Sequence, residues 1–78
     1  MTAKKQKRMG FVVCVRNDGY EASLEKRKIY EVLEDSDAGS HHQVRVIDES
    51  GEDYLFPEEF FVSVELPKPT ERAIIEAA

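Results

Sequence analysis

The chain of 78 residues has no tryptophan, a single cysteine and no long apolar run. One cysteine excludes an intramolecular disulfide framework and a zinc site built from cysteines. No stretch approaches the roughly 18–20 apolar residues that span a bilayer, and no apolar segment of signal-peptide length follows the basic N-terminus. We therefore expect one small cytoplasmic domain without a membrane partner.

Positive charge is scarce beyond the N-terminus. The first eight residues contain no acid and four basic residues, namely Lys4, Lys5, Lys7 and Arg8. The other seventy hold 7 basic and 16 acidic residues, a balance of −9, and residues 48–65 contain seven acids and no base. This pattern predicts a disordered basic arm at residues 1–8 on an acidic domain that repels nucleic acids and other phosphate-bearing ligands.

Short β-branched runs separated by turn signals predict five strands. Their ranges are 11–16, 28–34, 43–49, 52–56 and 61–66. Asn, Asp, Ser and Gly residues at 17–19 and 50–51 are typical of tight turns because they tolerate left-handed backbone angles. Pro57 ends the fourth strand, since it has no amide hydrogen to donate to the ladder.

The segments between the strands are predicted to have less regular structure than the strands. Residues 35–40 read as a loop and residues 58–60 as one tight turn. Residues 20–28 contain good helix formers, but too few apolar side chains to anchor a stable helix. After the last strand, Thr70 can cap a short helix that includes Ile74 and Ile75.

Five short strands at spacings of roughly 8–14 residues favour an all-β fold, a single small β-barrel over residues 9–66 with a tail at 67–78. A three-helix bundle is the competing architecture, and it would require the β-branched runs to be overridden. Tyr20 and Tyr54 are the aromatic residues expected to be partly exposed. The core candidates are Val32, Val44, Val46, Phe56 and Val62.

Two segments resemble SH3 domains. Residues 21–35, EASLEKRKIYEVLED, align without a gap to the SH3 stretch that often reads like ELSFKKGDIIEVLEK, and residues 51–66, GEDYLFPEEFFVSVEL, look like the end of an SH3 domain. The combination of RNDGYEASLE with RVIDESGEDYLFP also resembles small bacterial proteins of this barrel type that have no assigned role. The resemblance implies a five-stranded SH3-like barrel with a 3-10 turn before the last strand.

The departures from SH3 domains concern the peptide-binding residues. The chain has no tryptophan and no ALYDY segment, and Arg27 stands where the diverging turn usually has Gly. Pro57 matches the family's binding proline, Phe60 replaces its tyrosine, and Tyr20 could line the same side. A proline-rich helix needs a groove of stacked aromatics, so we expect this groove to be absent or altered.

Other candidate sites have simpler interpretations. His41 and His42 are adjacent, so in a strand they would point to opposite faces and could not readily share a metal ion. Residues 48–53, DESGED, lack the alternating ligand spacing of a calcium loop and fit a charged hairpin turn. Cys14 lies among valines and is expected to be a buried, unreactive thiol. No catalytic motif is present, and we expect no enzymatic activity, metal or cofactor.

Three functional hypotheses follow. In the first, the protein is an interaction module that binds a basic or extended segment of another protein through an acidic, aromatic-lined face. The residues of that face are Tyr20, Tyr54, Pro57 and Phe60. In the second, the arm residues Lys4, Lys5, Lys7 and Arg8 bind nucleic acid. In the third, the protein is a structural subunit whose C-terminal helix lies in an oligomer interface.

Overall fold

The computed structural model describes residues 8–77. Within that range the chain is mostly β, with five strands joined by turns, two short helices and one 3-10 turn. The strands are β1 Arg8–Cys14, β2 Ile29–Leu33, β3 Gln43–Ile47, β4 Asp53–Pro57 and β5 Phe61–Val64. The helices are α1 Ser36–Gly39 and α2 Lys68–Ala77, and the 3-10 turn is Glu58–Phe60.

All strand pairs are antiparallel and form one sheet in the order β4-β3-β2-β1-β5. β1 therefore lies between β2 and β5, although β5 is the last strand in the chain. β4 and β5 are the two edges, and no ladder joins them in the described part of the chain. The five predicted strands are confirmed, whereas hydrogen bonding does not close the sheet into a barrel.

Local chemistry explains the second half of the sheet. In the β3–β4 hairpin the Asp48 amide donates to the Glu52 carbonyl, and Gly51 adopts a φ of +87° that a side chain would disfavour. β4 ends at Pro57, as predicted, because proline cannot donate to a further ladder bond. The 3-10 turn follows directly and connects β4, at one edge of the sheet, to β5 at the other.

One face of the sheet forms the core together with residues from two connections. Strand residues 12, 14, 30, 32, 46 and 56 are buried there, and Leu24 and Phe60 complete the cluster. The predictions for Val32, Val46 and Phe56 are confirmed, and Val44 is half-buried against the same cluster. Leu24 is fully buried although its segment contains no helix or strand, and it is the one buried side chain of the connection between β1 and β2.

The prediction that Val62 belongs to the core is wrong, since Val62 is 52% exposed. In the sequence FFVSV, either set of alternate side chains could face the core. The register of the strand against its neighbour decides which set does so. Phe61 lies opposite the buried Cys14, whereas Val62 lies opposite Val13 on the other side of the sheet. Residues directly opposite in an antiparallel pair share a face, so Phe61 packs against the core and Val62 does not.

Two predictions about helical structure are also corrected. Residues 35–40, expected to be a loop, contain the single turn α1, whose N-cap Asp35 accepts a hydrogen bond from the Ala38 amide at 3.1 Å. Thr70 is not a cap, because α2 begins two residues earlier at Lys68. Pro69 does not prevent this start, since proline is tolerated in the first turn of a helix, where its missing amide would have no partner.

The first strand begins at Arg8, the last residue of the predicted basic arm, and pairs there with Leu33. Lys4, Lys5 and Lys7 lie outside the described residues. In the described range, neither helix is long and apolar enough to cross a membrane.

Candidate functional site

An open pocket of about 370 Å³ lies between the β1–β2 connection and the β3–β4 hairpin. Two tyrosines line it, Tyr20 from the connection and Tyr54 from β4. The other lining residues are Ser23, Asp48, Ser50, Leu55 and Phe56. The pocket thus brings together segments that are far apart in the chain.

Tyr20 is fixed by a succession of turns. Its amide donates to the Asn17 carbonyl at 2.8 Å, and its own carbonyl accepts from the amides of Ser23 and Leu24. Gly19, with a φ of +82°, permits the sharp change of direction immediately before it. Because Leu24 is buried in the core at the far end of these turns, the tyrosine is held at a defined place beside the sheet.

The Tyr20 ring is supported from below by the core. Its centroid lies 5.3 Å from that of Phe56 and 5.7 Å from that of Phe60, with interplanar angles of 80° and 72°. Such edge-to-face contacts are favourable between aromatic rings. Since 40% of Tyr20 remains exposed, part of the ring is open to a ligand while the rest is anchored.

The hairpin wall of the pocket is organised by Asp48. One of its carboxylate oxygens, Oδ1, accepts bonds from the Ser50 amide at 2.8 Å and the Ser50 hydroxyl at 2.6 Å, and Asp48 is buried. The next residue, Glu49, donates its amide to the Ser23 carbonyl at 3.1 Å. This backbone bond connects the hairpin directly to the segment that carries Tyr20, so the two walls of the pocket are tied to each other.

Tyr54 forms the outer side of the pocket. It lies two residues before Phe56 and therefore on the same side of β4, but near the hairpin end of the strand, where 48% of it is exposed. Its hydroxyl donates to Oε1 of Glu52 at 2.9 Å. This hydrogen bond and the negative charge of Glu52 raise the pKa of Tyr54 above its ordinary value, which keeps the phenol neutral.

The charge around the pocket is predominantly negative. Four acids lie within the six residues of the hairpin, and two of them have ion-pair partners: Glu49 with Lys28, and Asp53 with Arg45. Among the residues that the structure describes, Asp48 and Glu52 have no cation within ion-pairing distance. The pocket therefore combines two aromatic rings with the carboxylate of Asp48 in its wall, and the carboxylate of Glu52 lies beside it on the Tyr54 hydroxyl.

A buried tyrosine stabilises the base of this region. The Tyr30 hydroxyl accepts from the Glu25 amide at 2.7 Å and donates to Glu49 at 2.6 Å. Burial, reinforced by the bond to Glu49, raises the pKa of Tyr30 far above its ordinary value. Lys28 and Tyr30 together lower the pKa of Glu49, so this carboxylate remains charged.

The four residues predicted for the peptide-binding face do not lie together. Tyr20 and Tyr54 share the pocket, and Phe60 is buried beneath Tyr20. Pro57 lies in a separate depression with His42, Glu58 and Glu59. The lining residues Ser23, Asp48 and Ser50 are not predicted from the sequence to belong to this site. The run of acids and turn residues at 48–53 is a sequence signal for Asp48 and Ser50, and Ser23 has none.

The remaining candidates are placed as follows. Cys14 is fully buried, and burial raises its pKa, which favours the unreactive thiol form. His42 adopts a φ of +59°, and its Nδ1 lies 3.3 Å from a carboxylate oxygen of Glu58. In the described range no group of three histidine, cysteine or acidic side chains is arranged to hold a metal ion.

Comparisons of the chain with models of known protein families, with curated proteins and with solved structures give no match. The geometry of the described residues is therefore the basis for a functional proposal.

Proposed function

We propose that this protein is a non-catalytic interaction module with an SH3-like barrel fold, and that the pocket between Tyr20 and Tyr54 binds a basic segment of a partner protein. The observation that carries the proposal is one pocket lined by two half-exposed tyrosines and by Asp48, with Glu52 bound to the Tyr54 hydroxyl at its edge. Neither acid has an ion-pair partner among the described residues. The cytoplasm is the compartment that we propose, because the single cysteine is free and buried.

Two features of the sheet support an SH3-like arrangement. The first strand lies between the second and the fifth, and a 3-10 turn connects β4 to β5 directly after Pro57. However, Phe60 is buried and Pro57 lies in another depression. The proposed ligand is therefore a cationic side chain held by the tyrosines, rather than a proline-rich helix lying in a groove of stacked aromatics.

The chemistry of the pocket suits arginine or lysine. A guanidinium or ammonium group is attracted to the face of an aromatic ring, and a carboxylate nearby strengthens the attraction by charge-assisted hydrogen bonding. Arginine can stack its planar group on a tyrosine and still donate to a carboxylate, which lysine does less well. We therefore expect an arginine-rich segment to bind more tightly than a lysine-rich one.

The test is a calorimetric titration of the full chain with a synthetic nine-residue arginine–glycine peptide at low salt. Tyr54→Ala is expected to weaken binding about 3- to 30-fold, the range of a cation–π contact. Glu52→Gln should weaken it about two- to fivefold, as expected for one exposed charge pair. Glu65→Gln, the same change at an exposed acid after β5, should leave the affinity unchanged.

Two results would contradict the proposal. One is an equal loss of affinity for Glu52→Gln and Glu65→Gln, which would indicate attraction to net charge alone, and the other is undiminished binding by Tyr54→Ala.

A variant of the same chain tests the hypothesis that the basic arm binds nucleic acid. Changing Lys4, Lys5, Lys7 and Arg8 to glutamine should abolish binding of a single-stranded oligonucleotide under that hypothesis. Under ours, the modified chain binds the arginine peptide as tightly as the natural chain does.

A further inference from the structure

A second surface, which shares no lining residue with the tyrosine pocket, lies on the outer face of β1 and β5. Val13 and Val62 are directly opposite each other across the antiparallel ladder and project from the same side. Val62 is 52% exposed and Val15, just past the end of β1, is 44% exposed. We call Val13, Val15 and Val62 the valine patch.

The valine patch continues into a groove bounded by two cations. This groove, of about 660 Å³, is lined by Val13, Cys14 and Val15 together with Lys26 and Arg27. The turn that carries the cations is held against the end of β1, because the Arg27 amide donates to the Cys14 carbonyl at 2.7 Å. Apolar groups at the end of β1 and positively charged groups of the β1–β2 connection are therefore side by side.

Lys26 and Arg27 differ from most other cations of the domain. Arg16, Lys28, Arg45 and Lys68 each form an ion pair with an acid. Among the residues that the structure describes, neither Lys26 nor Arg27 has an acid within ion-pairing distance, and both are exposed. In a domain with a large excess of acids, two adjacent cations without partners are available to an external carboxylate.

The backbone at Arg27 gives an independent reason to assign a role to its side chain. Its φ is +73°, in the left-handed region where glycine is favoured and other residues are disfavoured. Arginine at this position thus has a conformational cost that glycine would avoid. The strained backbone at the edge of the groove indicates that the Arg27 side chain has a functional role there.

We propose that the valine patch with Lys26 and Arg27 binds an acidic, aliphatic segment of a partner protein. Carboxylates of the segment pair with the two cations, and its aliphatic side chains cover Val62 and Val15. A nucleic acid fits this surface less well, because its phosphates can pair with the two cations but it has no aliphatic side chains to cover Val62 and Val15. The protein then has two faces of opposite preference, one for basic and one for acidic segments.

The experiment is an NMR titration of the full chain, labelled with nitrogen-15, using a nine-residue peptide of alternating glutamate and valine. Amide shifts are expected in β1, in β5 and at residues 26–27. Lys26→Gln and Arg27→Gly should each weaken binding about two- to fivefold. Arg72→Gln is the matched control, because Arg72 is an exposed cation on α2 with no ion pair in the described residues, and it should leave the affinity unchanged.

Arg27→Gly also distinguishes a loss of peptide binding from a loss of folding. Glycine suits the left-handed backbone, so the urea midpoint of this variant should be equal to or above that of the natural chain while its peptide affinity falls. The proposal is overturned if the peptide leaves the amides of β1 and β5 unshifted. It is also overturned if Arg72→Gln weakens binding as much as Arg27→Gly. A peptide with serine in place of valine should bind about tenfold more weakly or worse, because it loses the burial of aliphatic surface. Equal binding by the two peptides would contradict the role of the valine patch.

Discussion

At the scale of single residues, the two tyrosines of the sheet differ in role although both donate to a glutamate. Tyr30 is buried and joins three segments through its hydroxyl, whereas Tyr54 is half-exposed and contacts only the acid two residues before it through its hydroxyl. A hydrogen bond in the interior is costly to lose, because its partner is left without a replacement from water. The same chemical change at the two positions should therefore have different effects.

Tyr30→Phe is expected to lower the free energy of unfolding by about 1–2 kcal/mol, because the Glu25 amide and the Glu49 carboxylate lose a buried partner. Tyr54→Phe, the matched change, should cost less than about 0.5 kcal/mol, since water can replace the bond to Glu52. Urea unfolding at pH 7 measures both values. Losses of the same size at the two tyrosines would contradict the assigned roles.

At the scale of elements, Asp35 connects α1 to the sheet. Its carboxylate caps α1 through the Ala38 amide and also accepts from Nε of Arg45 at 2.8 Å, while Arg45 reaches Asp53 on β4. The Arg45 guanidinium, and secondly the Ala38 amide, hold the pKa of Asp35 below its ordinary value. One carboxylate thus fixes both the start of the helix and its position beside β3.

The depressed pKa of Asp35 determines the pH dependence of this contact. A group with a lower pKa in the folded state stabilises the fold above its unfolded pKa, here about 4, and loses that contribution as the pH falls through the folded value. Asp35→Asn keeps an N-cap oxygen but removes the ion pair. The urea midpoint of this variant should be below that of the natural chain at pH 7, and the difference should shrink as the pH falls below the unfolded value of about 4.

The control for this measurement is Asp37→Asn, at an exposed acid in the same helical turn. Because Asp37 has no ion pair within the described range, the urea midpoint of this variant should equal that of the natural chain at pH 7 and at acid pH. A gap between Asp35→Asn and the natural chain that persists unchanged at acid pH would show that the carboxylate charge is not the source of the stabilisation.

At the scale of the whole molecule, a single small core holds all five strands together. Leu24 is fully buried in that core and is the one buried residue of the irregular segment between β1 and β2. A domain of this size has a free energy of unfolding of about 4–12 kcal/mol. Removing one large core side chain therefore affects the stability of the entire fold.

Leu24→Ala is expected to cost about 3–4 kcal/mol, because it deletes buried methyl groups and leaves a cavity. The midpoint of thermal unfolding, followed by circular dichroism, should fall by about 12–30 °C. Val62→Ala, at an exposed aliphatic residue of β5, should change the midpoint by less than about 4 °C. Similar losses for the two variants would mean that the core is not organised around Leu24.

Much of the fold could be predicted because the relevant interactions are local. The core positions of Val44 and Val46, two residues apart in β3, and the proline that ends β4 depend on neighbours in the chain, and these predictions are confirmed. The candidate site was predicted only in part. Tyr20 and Tyr54 are predicted to be partly exposed aromatics, but the placement of Asp48 in one pocket with Tyr20 and the bond from Glu49 to Ser23 depend on contacts between distant segments.

The number of strands, their order along the chain and the turns between them were thus decided by short-range chemistry: β-branched runs, left-handed turn residues and a missing amide hydrogen. The tertiary structure alone decided which side chains meet. Strand register made Phe61 part of the core and left Val62 in solvent, and the folding of Leu24 into the core brought Tyr20 to Tyr54. Register and long-range packing are collective properties of all five strands, so no single segment contains the information that specifies them.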